Sequence, residues 1–316
     1  MTVDTTWSGP GAGRGTAPHP AARAVAVVVA VVAAWGVWAL WRFFVGTYEG
    51  QLADQLALDG ARTGRRTLWT VAEPVLDVVS VAFVAGGIAT AVLVAVVRRR
   101  WVLAIQVGTL VVGANLTTQV VKRFLGRSDL IDKGGYLDNT LPSGHTTAAA
   151  SVAAAVLLVV PRRWRPLVAV LGGTYTAATG WSTYVGQWHR PSDVIAAVLV
   201  VLAWAAIVCA FSSGSALDHP RRAGDSLATP GSAAAAALMI LAGLVAGAVA
   251  VGALAAVMGY DWGLLTGGDL TAYAGGVLGT VAASALAFAV LLLLRQATAR
   301  PVSPSTSPRQ SPRRTS

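Results

Sequence analysis

Two short polar stretches each place a histidine at the edge of a long apolar run. Residues 142–145 read Pro-Ser-Gly-His, and residues 189–193 read His-Arg-Pro-Ser-Asp. In the first stretch, the turn amides and the first free N–H groups of a following helix point at one place beside an imidazole, which suits a bound phosphate. In the second, Pro191 suits the first position of a helix, and Asp193 lies four residues after the histidine. If both stretches lie at the same membrane face, two histidines and an acid converge there.

The composition indicates an integral membrane protein. Of the 316 residues, 55% are hydrophobic and only 12% are charged, which is more apolar sequence than a soluble domain of this length buries. The net charge of +10 comes from arginines in short runs between apolar segments and near the C-terminus, where membrane topology explains them. Nucleic-acid binding is not expected, because no folded soluble module is present to carry it. The single cysteine, Cys209, lies within an apolar run, which excludes an intrachain disulfide and a multi-cysteine metal site.

Eight apolar segments are each near the roughly 20 residues that a helix needs to cross the hydrocarbon core. They are residues 22–45, 71–97, 102–121, 145–160, 166–185, 191–211, 233–257 and 272–294. The sequence therefore predicts an all-α fold, a polytopic transmembrane helical bundle of eight spans. We divide it into a disordered tail, a six-span core, a cytoplasmic linker, two additional transmembrane helices and a disordered basic tail, at residues 1–21, 22–211, 212–232, 233–295 and 296–316.

Arginine-rich loops set the predicted orientation. Their side, with both termini, is predicted to be cytoplasmic, and the abundance of Ala, Val, Arg and Gly favours a bacterial plasma membrane. The arginine-rich segments are residues 98–100, 162–165, 221–222 and the tail from Arg295. The loops predicted to face outward are residues 46–70, 122–144, 186–190 and 258–271. The first of these outward loops is interpreted either as a short interfacial helix or as a plain solvated loop.

A third polar segment follows the span at 102–121 and begins with Lys122. It lies, like the two histidine stretches, at the predicted outer end of a span, so a bundle can bring all three together at the membrane boundary. Taken alone, Lys122 is equally well explained as a helix-end residue whose ammonium reaches the interface. Arg190, next to His189, is either an interfacial anchor or a phosphate ligand.

At these residues the sequence resembles the type 2 phosphatidic acid phosphatase family, which is similar in its core to the vanadium haloperoxidases. The family pattern has three motifs: Lys, six intervening residues and Arg-Pro; then Pro-Ser-Gly-His; then Ser-Arg, five intervening residues, His, three intervening residues and Asp. The resemblance covers about residues 70 to 211 and implies a six-helix phosphatase-like core. The matching positions are Lys122, residues 142–145, Ser182, His189 and Asp193.

The chain departs from the family pattern at two phosphate-binding arginines. Asp129 and Leu130 stand where the first motif has Arg-Pro, and Thr183 stands where the third motif has Arg. Arg127, five residues after the lysine, is one candidate for the missing guanidinium, and Arg190 is a second.

The resemblance implies a role for each matched residue. His189 attacks phosphorus and becomes a phosphohistidine, Asp193 holds its other ring nitrogen, and His145 protonates the leaving oxygen and then activates water. The phosphate-binding residues are expected to be Lys122, Arg127, Ser143, Gly144, Ser182 and Arg190. No cofactor is implied, and two histidines without an acidic cluster make a poor magnesium or zinc site.

The implied activity is hydrolysis of a lipid phosphate or pyrophosphate, such as phosphatidic acid, phosphatidylglycerol phosphate or a polyprenyl pyrophosphate. One alternative is a lipid phosphotransferase, in which an acceptor hydroxyl replaces water. Another is a non-catalytic lipid-binding member that kept the fold, which the two missing arginines favour. Membrane lipids are the other expected partners. The last two spans contain no ionisable residue and are interpreted as packing or homo-oligomerisation helices.

Overall fold

The computed structural model describes residues 20–78, 89, 93, 100–132, 139–213, 216–218, 229–259 and 268–300. The regular elements in this part of the chain are all helices, without a strand. Its nine α-helices confirm the predicted all-α membrane bundle. We number them α1 Pro20–Leu40, α2 Tyr48–Gly60, α3 Arg65–Val78, α4 Trp101–Phe124, α5 Gly144–Val159, α6 Arg165–Val185, α7 Pro191–Ala210, α8 Pro230–Val257 and α9 Asp269–Thr298. A π-helical turn, Trp41–Val45, continues α1, and a 3-10 turn, Arg162–Trp164, precedes α6.

Five of the described helices are long and apolar enough to cross a membrane. They are α1 with its π-helical turn, α4, α7, α8 and α9, and α5 is a shorter apolar helix. The exposed face of α1, with Val28, Val31 and Trp35, is apolar, as expected of a surface in contact with lipid. The predicted span at 71–97 lies mostly outside the described residues. Its first part falls within α3, which begins earlier, at Arg65.

The predicted outward loop at 46–70 contains the helix α2, so the plain solvated loop is not what forms. The Thr47 side chain caps the helix by accepting a hydrogen bond from the Gly50 N–H, at 3.1 Å. One face of α2 is buried, including Ala53 and Ala57. At its end, a Cβ on Gly60 would lie 2.2 Å from the carbonyl oxygen of Asp269, so glycine lets α2 approach the start of α9 closely.

Helix α7 lies at the centre of the bundle and contacts α1, α4, α5 and α9. Its alanines are small side chains that allow close helix packing in a membrane protein. On the α4 side, a Cβ on Gly113 would lie 2.6 Å from the Trp204 ring. The indole Nε1 of Trp204 donates a hydrogen bond to Thr117 Oγ1 at 3.0 Å, which fixes the ring against α4.

A buried ionic cluster ties several elements together at the end of the bundle where α5 ends and α6 begins. Arg165 is fully buried and donates from both terminal nitrogens to Asp218, at 2.8 Å each. Arg162 donates to the same carboxylate at 3.0 Å. Arg295, which the sequence places at the start of the basic tail, is instead fully buried in α9, because the helix continues to Thr298. Its guanidinium donates to the carbonyl oxygens of Leu158 and Ala216, at 3.1 and 3.0 Å.

Candidate active site

A buried histidine–carboxylate pair lies at the start of α7, with the histidine just before the helix and the carboxylate in its first turn. Arg190 is the N-cap residue, and Pro191 occupies the first helical position, as the sequence predicts. Asp193 is fully buried, and its Oδ2 lies 3.2 Å from Nδ1 of His189. The same oxygen accepts the backbone N–H of Arg190 at 3.0 Å, so one carboxylate both caps the helix and orients the imidazole.

The first turn of α5 places the second histidine opposite the first. Ser143 is the N-cap residue, and its Oγ accepts the N–H of Thr146 at 3.4 Å. The backbone N–H of Ser143 donates to the carbonyl oxygen of Asp193 at 2.8 Å, so the two histidine stretches are joined directly. The rings of His145 and His189 have their centroids 6.3 Å apart. The two histidine stretches therefore meet, as the sequence analysis expects.

The predicted cations of the third polar segment, which begins with Lys122, also reach this place. Lys122, in the last turn of α4, lies close enough to His145 and Asp193 for their charges to interact. Arg127 follows α4 and is buried, and its Nη1 has no hydrogen-bond partner within the described part of the chain. Burial, together with the nearby positive charge of Arg190, lowers the pKa of Arg127. A bound oxyanion would stabilise two such neighbouring guanidiniums.

Arg190 points into the site rather than serving as an exposed interfacial anchor. The residue is only 9% exposed. Its Nε and Nη2 donate to Oε1 of Gln55, at 3.3 and 2.9 Å, and its Nη1 donates to Oγ1 of Thr140 at 3.4 Å. Both candidate replacements for the missing family arginines are therefore at the site.

At three positions of the family motifs, namely Ser182, Thr183 and Asp129, the side chain bonds within its own helix or is exposed. The Ser182 hydroxyl donates to the carbonyl oxygen of Ala178 within its own helix, at 2.9 Å. The Thr183 hydroxyl likewise donates to Gly180 at 2.7 Å, so it does not replace a phosphate-binding guanidinium. Asp129 is exposed. Gly144 opens α5 with unfilled space beside its Cα, so its amide is one of the free helix N-terminal donors.

Sequence reasoning missed a buried polar face of α2, formed by Gln51, Asp54 and Gln55. Asp54 accepts both the N–H of Ser192, at 3.1 Å, and its hydroxyl, at 2.6 Å. Burial and the negative charge of Asp193 raise the pKa of Asp54. Asp54 and Gln55 follow Gln51 by three and four residues. This spacing places the three side chains on one side of a helix, and it was the available signal. It carried no information about the partner segments, which are 77 to 138 residues away.

An apolar surface borders the polar centre. The ring of Trp188 lies beside that of His145, with centroids 5.3 Å apart, and beside that of Trp69, at 6.0 Å. Behind the first turn of α7 is a cavity of about 240 Å³ between α2, α7, α8 and α9. Small apolar residues line most of it, and Asp54 and Ser192 form its polar end. Within the described residues, no three His, Cys, Asp or Glu side chains cluster so that they could hold a metal ion.

Fold and site together define a helical membrane protein with a polar centre of two histidines, a carboxylate and several cations at the ends of its helices. Residues 102–215 match the family described as the PAP2 superfamily. The resemblance to type 2 phosphatidic acid phosphatases is thereby confirmed. A match to this superfamily implies phosphatase activity on lipid-type phosphates. No curated protein and no solved structure matches the chain.

Proposed function

We propose that the protein is a membrane-embedded phosphatase that hydrolyses a lipid phosphate or pyrophosphate through a phosphohistidine intermediate. The observation that carries the proposal is the 3.2 Å contact between Nδ1 of His189 and the buried carboxylate of Asp193. With its proton on Nδ1 directed at the carboxylate, the imidazole keeps a lone pair on Nε2 for attack on phosphorus. The carboxylate then stabilises the positive charge that the ring acquires.

The second histidine supplies the proton transfers. In the first step, the bond between Nε2 of His189 and phosphorus forms while the bond from phosphorus to the leaving oxygen breaks, and His145 gives its proton to that oxygen. In the second step, water attacks phosphorus, the N–P bond breaks, and the proton of the water passes to His145. The ring centroids of the two histidines are 6.3 Å apart, so both rings are close enough to act on one phosphoryl group, and this supports the assignment.

The surrounding cations bind the non-bridging phosphate oxygens. Arg127 and Arg190 provide guanidinium donors, and Lys122 provides an ammonium from the end of α4. The free amides at the start of α5, including that of Gly144, add donors without a formal charge. Positioned donors of this kind favour the transition state, in which charge accumulates on these oxygens.

A lipid substrate fits the surroundings better than a soluble one. The site lies at the ends of helices that are long and apolar enough to span the membrane, beside Trp188 and the apolar cavity. Such a position lets a hydrocarbon chain stay in the bilayer while its phosphate reaches the histidines. We further propose that the site faces the outer side of the plasma membrane and that both termini are cytoplasmic, from the arginine-rich loops.

The test is phosphate release by detergent-purified protein from phosphatidic acid, phosphatidylglycerol phosphate and a polyprenyl pyrophosphate, without added metal. His189→Ala is expected to abolish release, and His219→Ala, in the predicted linker, is the control and should retain it. Release that appears only when an acceptor alcohol is present would favour the phosphotransferase. No release from any lipid by folded protein would overturn the proposal and favour the non-catalytic lipid-binding member.

A further inference from the structure

We propose that α2 positions the phosphate-binding guanidiniums of this site, with Gln55 orienting Arg190 and Gln51 holding the segment that carries Arg127. The two arginines thereby take over the roles left vacant at Asp129 and Thr183. This inference rests on the proposed function. The two glutamines lie outside the matched segment 102–215, which begins after α2 and therefore says nothing about them.

Gln55 fixes the orientation of the Arg190 guanidinium. One acceptor, Oε1 of Gln55, receives both Nε–H and one N–H of Nη2. Thr140 receives one N–H of Nη1. A guanidinium has five N–H donors, so among the described residues one donor on each terminal nitrogen is left without an acceptor. Both lie in the plane of the group, where guanidinium donors bind the oxygens of a phosphate.

Gln51 holds the second arginine-bearing segment. Its Nε2 donates to the carbonyl oxygen of Ser128 at 2.6 Å, and its Oε1 accepts the N–H of Leu130 at 3.2 Å. The backbone on both sides of Asp129 is therefore fixed to α2. Gln51 is only 1% exposed, so water cannot easily replace these bonds. Arg127 directly precedes this clamped segment.

Helix α2 is itself held in place by its neighbours. Asp54, on the same face of α2, accepts two hydrogen bonds from Ser192, in the turn of α7 that begins just after Arg190. The opposite end of α2 packs closely against α9 at Gly60. One short helix thus joins both arginine-bearing segments to the helix that carries the histidine–carboxylate pair. A shift of α2 would move both guanidiniums relative to His189.

The first experiment compares Gln55→Ala and Gln51→Ala with Gln106→Ala as the matched control. Gln106 is also a buried glutamine, but it holds the far end of α7 through Val208 and Ser212. Orthovanadate, a mimic of the phosphoryl group, is the probe, and its dissociation constant is measured together with KM, kcat and Tm. Each site variant is expected to weaken vanadate binding and raise KM by about tenfold, because a guanidinium that is no longer held in place loses part of its hydrogen bonding to the charged oxyanion. The control should change either value less than about twofold.

A double-mutant cycle separates positioning from general stability. If Gln55 acts through Arg190, then adding Gln55→Ala to Arg190→Lys should weaken vanadate binding little beyond the effect of Arg190→Lys alone. Fully additive effects, or a lower Tm with unchanged vanadate affinity, would overturn the inference. If Gln55→Ala does not fold, Gln55→Glu is used in its place. Its carboxylate can still accept the hydrogen bonds of Arg190, and its negative charge offsets the positive charge of the guanidinium. That variant should fold and bind vanadate more weakly, and wild-type affinity in it would equally refute the inference.

The outcome for the proposed function is read separately. Wild-type protein that binds vanadate but hydrolyses none of the lipids would refute the phosphatase, while the vanadate comparison would still decide the role of α2. Wild-type protein that neither binds vanadate nor releases phosphate would refute both.

Discussion

Asp193→Asn removes one charge from the centre of the site while nearly preserving its shape. The carboxylate is fully buried, and its Oδ2 lies 3.2 Å from Nδ1 of His189. When Nε2 bonds to phosphorus, the ring becomes positively charged. At that distance, and with an effective dielectric constant of about 20, the attraction between the two charges is about 5 kcal/mol. Losing most of it in the transition state predicts a fall in kcat on the order of 10³-fold.

The assay is the steady-state rate of phosphate release from the best lipid substrate, with KM and Tm recorded for each variant. Asp269→Asn is the matched control, because Asp269 is an exposed aspartate in the first turn of α9. It should leave kcat within about twofold of wild type, since it lies in screened, solvated surroundings. A folded Asp193→Asn protein with kcat within tenfold of wild type would refute the electrostatic role assigned to the carboxylate.

Two further predictions concern stability. Burial alone would raise the pKa of Asp218, but the hydrogen bonds and charges of Arg165 and Arg162 lower it, so Asp218→Asn should reduce the free energy of unfolding in detergent by about 3 kcal/mol. The difference in unfolding free energy between wild type and variant should be fully present above about pH 4. It should disappear as the pH falls through the folded-state pKa of Asp218, which is lower than the ordinary value of an aspartate. A difference that is unchanged at pH 2 would contradict the assignment. Gly113→Ala should displace the Trp204 ring and lower stability by about 1 to 3 kcal/mol. Gly108→Ala in the same helix, with open space beside it, should be neutral or stabilising by up to about 1 kcal/mol in the same denaturation assay.

The sequence predicted the parts of the fold that depend on local patterns. Apolar length marked the spans, and the start of α5 at Gly144 and of α7 at Pro191 follow from the Ser143 cap and from the proline itself. The meeting of His145 with His189 followed from a topology in which both stretches lie at the same end of the bundle. These features need only the local sequence and the count of spans.

The remaining features depend on side-chain pairs far apart in the chain. The charge of Arg165 is typical of a cytoplasmic loop, yet Asp218, 53 residues later, receives two of its hydrogen bonds in a buried cluster. Arg295 looked like part of a basic tail, because nothing in its local sequence shows that the end of α9 reaches the carbonyl oxygens of Leu158 and Ala216. Composition places such residues in loops or tails, because it takes only their charge into account. Whether they are buried depends on the partners that the tertiary fold brings to them.

The last helix contributes to the support of the site, although the matched segment ends at residue 215. Helix α9 packs against α2, and it meets α6 through polar contacts near the third motif. Trp181 donates to the Tyr273 hydroxyl at 2.7 Å, and the hydroxyls of Tyr184 and Thr280 are hydrogen-bonded. Because α2 holds the arginine-bearing segments and α6 leads into the loop with His189, α9 supports both sides of the polar centre. A helix without an ionisable group at the reaction centre can thus determine its geometry, and for this reason the phosphate-binding arrangement must be understood from the whole bundle rather than from the three motifs alone.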